Sequence, residues 1–186
     1  MILYIKNMVC NRCKLVVKTE LEQAGLTVQS VQLGEAEIVG ELTDGQKSRL
    51  AERLGTLGFE LLEDRKSRII EAVKNCIVEL VRTPEVVPRV NLSDYLPERL
   101  HLDYKYLSAL FSETQGRTVE KYLIAQKIER VKELLVYDEL TLSEIAFRLG
   151  YSSVAHLSAQ FRRFTGLTPS YYKQSGDKRR RPLDEL

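Results

Sequence analysis

Thr141-Leu142-Ser143-Glu144-Ile145-Ala146-Phe147-Arg148-Leu149-Gly150-Tyr151-Ser152-Ser153-Val154-Ala155-His156-Leu157-Ser158-Ala159-Gln160-Phe161 is the stretch that decides the fold. Thr141 and Glu144 have the spacing of a capping box, in which each side chain satisfies a backbone N–H at the start of a helix. Leu142, Ile145, Ala146 and Leu149 then give that helix one apolar face over two turns. Gly150 ends it. After a turn, Ser152 or Ser153 can cap a second helix with Val154, Leu157 and Phe161 turned inward. His156, Ser158, Ala159 and Arg162 stay on its other faces. A short helix, a glycine turn and a longer helix with a small, polar outer face make a helix-turn-helix.

The same pattern stands fifty positions earlier. Leu92-Ser93-Asp94 matches Leu142-Ser143-Glu144, and Leu107-Ser108-Ala109 matches Leu157-Ser158-Ala159. Phe111, Gly116, Thr118 and Tyr122 match Phe161, Gly166, Thr168 and Tyr172. One register kept over ten positions means one supersecondary unit used twice. In the first copy a helix over Leu92–Leu100 precedes a cap at Asp103 and a helix through Leu107 and Phe111, whose outer face carries Lys105, Tyr106, Ser108 and Ala109. Between the copies Val119, Leu123, Ala125, Ile128, Val131, Leu134 and Leu135 run through a helix of roughly 19 residues, or about 29 Å at 1.5 Å per residue. That is close to one turn of B-DNA, about 34 Å, the separation at which two recognition helices enter successive major grooves on one face.

Leu142 to Ser153, followed by Phe161-Arg162-Arg163-Phe164-Thr165-Gly166-Leu167-Thr168-Pro169-Ser170-Tyr171-Tyr172, resembles the signature of the AraC/XylS family. The resemblance covers about residues 66–174. It implies two helix-turn-helix units joined by a long helix, binding asymmetric sites in double-stranded DNA as an activator or repressor, with RNA polymerase as a further partner. Carried over by position, the base-contacting residues are Lys105, Tyr106, Ser108 and Ala109 in the first recognition helix. In the second they are Val154, Ala155, His156, Ser158 and Ala159. Arg117, Lys121, Arg162 and Arg163 are the phosphate-contacting set, which fixes register without reading sequence. The small outer faces leave Lys105 and His156 as the best direct readers and shift the rest of specificity to thymine-methyl contacts and DNA shape.

The N-terminal half reads differently. Residues 2–6 alternate like a strand, Val17, Leu21 and Ala24 are spaced as in a helix ending at Gly25, and Leu26–Leu33 and Ala36–Leu42 flank Gly34-Glu35 as a hairpin. Leu50, Leu54 and Leu57 mark a second helix ending at Gly58, with Phe59–Leu62 as the last strand. The order βαββαβ fits a ferredoxin-like split-βαβ sheet with both helices on one face. Asn7-Met8-Val9-Cys10-Asn11-Arg12-Cys13, together with Gly58-Phe59, resembles a heavy-metal-associated domain. Two sulfurs at i and i+3 on a loop entering a helix can face one soft ion. With two thiolates, Cys10 and Cys13 suit Cu(I) better than zinc, which takes four ligands. A thiol redox switch, or a fold kept for dimerisation or protein contact, stays open beside metal binding.

Ile69, Ile70, Val73, Ile77, Leu80 and Val81 continue at helical spacing, with Cys76 as a small core residue, and Pro84 and Pro88 break the helix. The expected organisation is α+β: a ferredoxin-like βαββαβ domain over 1–64, a connecting helix over 65–83, and an all-α double helix-turn-helix domain over 84–186 with a basic tail. Charge follows this division. Residues 1–64 carry 7 basic and 10 acidic side chains, whereas 65–186 carry 21 and 16. The excess is densest toward Lys178-Arg179-Arg180-Arg181, which suits a polyanion. No apolar run approaches a membrane span and no signal peptide is recognisable, so a cytoplasmic chain is expected. Phosphate loops and nucleophile motifs are missing from the sequence, which argues against an enzyme. The expected function is sequence-specific transcription regulation, with a small domain that senses a soft metal or thiol state or forms a homodimer.

Overall fold

The computed structural model describes residues 1–83 and 90–175. Pro84, Pro88 and the run from Lys178 to Arg181 lie outside the described residues. The chain divides into two compact units, Met1–Asn75 and Cys76–Leu186.

The first unit runs β1 (Ile2–Lys6), α1 (Asn11–Gln23), β2 (Val28–Gln32), β3 (Glu35–Ile38), α2 (Asp44–Thr56) and β4 (Glu60–Leu62), and takes in the first turns of α3 (Arg65–Arg82). The strands form one sheet in the order β2-β3-β1-β4, and every neighbouring pair is antiparallel. Register is set by alternation: Leu3 faces Ala36 and Ile5 faces Leu61, while Tyr4 lies between Glu35 and Leu62. Leu3, Ile5, Ala36 and Ile38 therefore point to one side, where Val17 and Leu21 of α1 and Leu50 and Leu54 of α2 close the core. α2 begins with a complete capping box at Thr43 and Gln46.

Two helix ends differ from the sequence expectation. α2 stops at Thr56, and Leu57, expected on its buried face, is 47% exposed. Its N–H bonds to Leu54 O at 3.0 Å. That i→i−3 step tightens the last turn and rotates Leu57 away from the core. α1 likewise stops at Gln23, leaving Ala24 exposed as the C-cap.

A second difference concerns α3. The sequence assigns residues 65–83 to a connector, yet residues 65–75 of α3 fall within the compact unit of the sheet. The Arg68 guanidinium lies 4.6 Å from the centre of the Tyr4 ring and donates to Glu63 O at 2.7 Å. Asn75 Nδ2 donates to Leu33 O at 3.0 Å. Ile69, Ile70 and Val73 of this helix are buried.

The second unit is helical over its described residues: α4 (Leu92–Leu100), α5 (Tyr104–Gln115), α6 (Val119–Tyr137), α7 (Leu142–Arg148), α8 (Val154–Thr165) and α9 (Pro169–Ser175), with the end of α3. The repeat is visible in detail. Asp103 and Ser153 cap α5 and α8, each accepting an N–H bond from three residues on. Gly116 and Gly166 close the same helices in the left-handed conformation. Phe111 meets Tyr122 and Phe161 meets Tyr172, both at 5.5 Å between ring centres. α6 is the shared wall. Tyr122 serves the first copy, and Ile128, Val131, Leu134 and Leu135 join Ile145, Leu149, Leu157 and Phe161 in the core of the second. No helix among the described residues is long and apolar enough to cross a membrane.

Candidate nucleic-acid interface

Each helix-turn-helix presents its second helix because the first is held inward. In the second copy the capping box at Thr141 and Glu144 starts α7, with Thr141 N donating to Glu144 Oε2 at 2.7 Å. Ile145, Ala146 and Leu149 are buried, Gly150 takes φ +69°, and the chain enters α8 through an extended Ser153. The cap is Ser153, whose Oγ accepts from His156 N at 3.0 Å. Leu157 and Phe161 anchor α8 to α6.

Among the expected base-contacting residues of α8, Ala155, His156 and Ala159 are exposed and Ser158 is half-buried. Val154 packs partly against the core of the second copy. In α5, Lys105, Tyr106 and Ala109 are exposed and Ser108 is half-buried. The two outer faces are thus accessible, and they differ chemically: a lysine and a phenol in one, a histidine among alanines in the other.

The expected phosphate-contacting residues occupy helix ends. Arg162 and Arg163 are exposed in the last turn of α8, where cations also complement the helix dipole. Lys121 is exposed in the first turn of α6, and its N–H caps onto Thr118 Oγ1 at 3.3 Å. Arg117 is half-buried, with its guanidinium 4.9 Å from the centre of the Tyr122 ring. Stacking of this kind leaves the fork of N–H donors free at its edge.

Several supporting side chains carry no signal in the sequence. Tyr104 Oη donates to Glu120 Oε1 at 2.5 Å, binding the start of α5 to α6. Burial, followed by the Glu120 carboxylate, pushes the Tyr104 hydroxyl up to about 12. In the second copy Tyr151 Oη donates to Gln160 Oε1 at 2.8 Å, and Lys127 Nζ lies 5.4 Å from the centre of the Tyr151 ring. Burial raises the Tyr151 hydroxyl and lowers the Lys127 ammonium from their ordinary values. Tyr151 also meets His156 edge to face at 5.4 Å, and Ser152 Oγ lies 3.0 Å from His156 Nδ1. Tyr104 and Glu120 are sixteen residues apart, so only the fold joins them. Ser152 and His156 are four apart, a spacing that could have been tested for contact.

In the first unit Cys10 is the N-cap residue of α1, and its Sγ lies 3.4 Å from Cys13 Sγ. Both residues are half-buried thiols. Burial is the largest influence on Cys13 and pushes its thiol up. No group of three or more His, Cys, Asp or Glu side chains able to hold a metal ion occurs among the described residues.

Residues 96–175 match the family model of a helix-turn-helix domain. Over 155 residues the chain is 24% identical to an uncharacterized transcriptional regulatory protein, YesN, of Bacillus subtilis, covering 80% of this chain and 42% of that protein. Over 68 residues it is 37% identical to the HTH-type transcriptional activator RhaR of Cronobacter sakazakii, covering 37% of this chain and 24% of that one. The chain therefore spans less than half the length of these curated relatives. Among solved structures, the C-terminal domain of AraT, a response regulator from Geobacillus stearothermophilus, superposes with a TM-score of 0.51 at 26% identity, covering 60% of this chain and 88% of that domain.

Proposed function

We propose, on the premise that residues 96–175 form an AraC-type helix-turn-helix domain, that this protein is a sequence-specific regulator of transcription that binds double-stranded DNA. The observation that carries this reading is the duplicated unit on one helix: α5 and α8, capped and closed alike, each turn an accessible outer face away from a core that runs along α6. Lys105, Tyr106, Ser108 and Ala109 read bases from α5, as do Val154, Ala155, His156, Ser158 and Ala159 from α8. Arg117, Lys121, Arg162 and Arg163 hold phosphates. RNA polymerase is the partner through which such binding would act on transcription, and no catalytic role is assigned. The test is selection of bound sequences from randomised duplexes by the purified chain. A recovered motif with two short conserved segments supports the reading, and recovery without sequence preference overturns it.

The first unit is assigned a sensing or association role. Its antiparallel order β2-β3-β1-β4 supports a ferredoxin-like arrangement, and the adjacent sulfurs of Cys10 and Cys13 support binding of one soft ion such as Cu(I). Two sulfurs that no third His, Cys, Asp or Glu joins among the described residues suit a two-coordinate ion and not zinc. When bound, such an ion would replace both thiol protons, so its uptake would depend on pH. A homodimer formed through this unit is the reading that remains should ion binding fail.

A further inference from the structure

The imidazole of His156 is more constrained than its exposed position on α8 requires. Its Nδ1 lies 3.0 Å from Ser152 Oγ, and its ring meets the Tyr151 ring at an interplanar angle of 82°. Tyr151 is itself immobilised, by the hydrogen bond to Gln160 at one end and the Lys127 ammonium over its face. The backbone task at this helix start belongs to the neighbouring serine, since Ser153 Oγ receives the His156 N–H. The Ser152 hydroxyl is thereby left to the ring.

We propose that Ser152 is a positioning residue for base readout: its hydroxyl donates to His156 Nδ1, so that the ring is held with Nε2–H turned outward as a donor. The inference rests on the DNA-binding reading and deepens it. A histidine ring free to turn can offer either nitrogen, and either as donor or acceptor, which discriminates poorly among bases. Fixing Nδ1 as the acceptor leaves a single outward donor. A lone donor in the major groove fits the acceptors of a purine or thymine edge. Guanine, with N7 and O6 side by side and no competing donor, fits best, whereas cytosine, which presents its amino group, does not. His156 therefore reads guanine at one position of the site.

The experiment uses the full chain. The preferred duplex is first obtained by selection, and each base pair of the α8 half is then changed in turn to find the one whose effect disappears in His156→Ala. At that pair the wild type is expected to favour guanine over cytosine by roughly tenfold, the scale of one well-placed base contact. Ser152→Ala should lose most of that ratio and Ser152→Thr, which keeps the hydroxyl, should retain it. In Ser152→Ala/His156→Ala the ratio should be no lower than in His156→Ala, because one residue acts through the other. A Ser152→Ala variant with the wild-type ratio overturns the proposal, as does a double variant whose losses add. Preference for cytosine at that pair overturns the donor assignment. Failure to select any duplex overturns instead the DNA-binding reading beneath it.

Discussion

The Glu71 carboxylate on α3 accepts the backbone N–H of Asn7 at 3.0 Å, and Asn7 stands at φ +71° three residues before Cys10. The Asn7 side chain donates in turn to Gly58 O at 2.8 Å. The loop that leads to the two thiols is thus fastened at a left-handed residue by a buried acid and by the turn before β4. Asparagine tolerates that conformation better than most residues with a Cβ.

Burial raises Glu71 above its ordinary value, more than the Asn7 N–H and Lys74 lower it. A raised folded value means the folded state holds the proton longer, so this group's contribution is full below the ordinary carboxylate range and is lost as pH rises through the raised value. Glu71→Gln keeps an acceptor for Asn7 without the charge. Its stability relative to wild type should therefore grow as pH rises from about 4 toward neutrality, measured by hydrogen exchange at β1 amides. Glu71→Leu leaves the Asn7 N–H unmet and should cost about 1–3 kcal/mol.

Gly34, at φ +82°, is needed twice over. A Cβ there would come within 2.1 Å of Asn75 Nδ2. Gly34→Ala should cost about 1–3 kcal/mol in denaturant unfolding of the first unit. Asn75→Ala in that background should recover the part due to the clash and leave the part due to backbone strain.

The matched ring pairs make the two copies comparable inside even where they differ outside. Phe111 and Phe161 are both fully buried. Phe111→Ala and Phe161→Ala should each cost about 3–5 kcal/mol in calorimetry. A much smaller loss for one of them would show that its copy collapses onto the space.

On DNA, footprinting should find two protected major-groove segments about 10 base pairs apart on one face. Lys105→Ala should relax preference at particular pairs by about 1–3 kcal/mol. Arg162→Ala or Arg163→Ala should weaken all duplexes alike and reduce the salt slope by about one. An altered base preference in Arg163→Ala, with none in Lys105→Ala, would reverse these roles.

For the cysteine pair the measurement is operator affinity with and without Cu(I) under reducing conditions, in wild type and in Cys10→Ser/Cys13→Ser. A change of about 5- to 150-fold in the wild type alone is the expected range for such coupling. Because burial holds the Cys13 proton, ion uptake should strengthen as pH rises. Ion binding without any change in DNA affinity would leave the first unit as an association module.

The helical half was legible because its instructions are local. Caps at Asp103, Thr141 and Ser153, glycine stops at 116 and 166, and a repeated apolar register each specify their element without help from distant residues. What escaped was long-range. Residues 65–75 look like any amphipathic helix, and nothing in their spacing says that Arg68 meets Tyr4 of β1, more than sixty positions earlier. Leu57 was misplaced for a smaller reason: periodicity cannot see a last turn that tightens. The supporting contacts of the interface, Tyr104 with Glu120 and Tyr151 with Lys127, depend on where α6 passes, and no pairwise pattern in the sequence foretells that.

α6 belongs to both cores at once, with Tyr122 near one end and Ile128 to Leu135 toward the other. A rod shared in this way works as a ruler whose graduations are whole helical turns. Adding a single residue between Tyr122 and Ile128 would swing one copy about 100° around the axis relative to the other while advancing it only about 1.5 Å. Small insertions there are therefore far more damaging than their length suggests. The separation of the two outer faces can therefore change only together with their relative orientation.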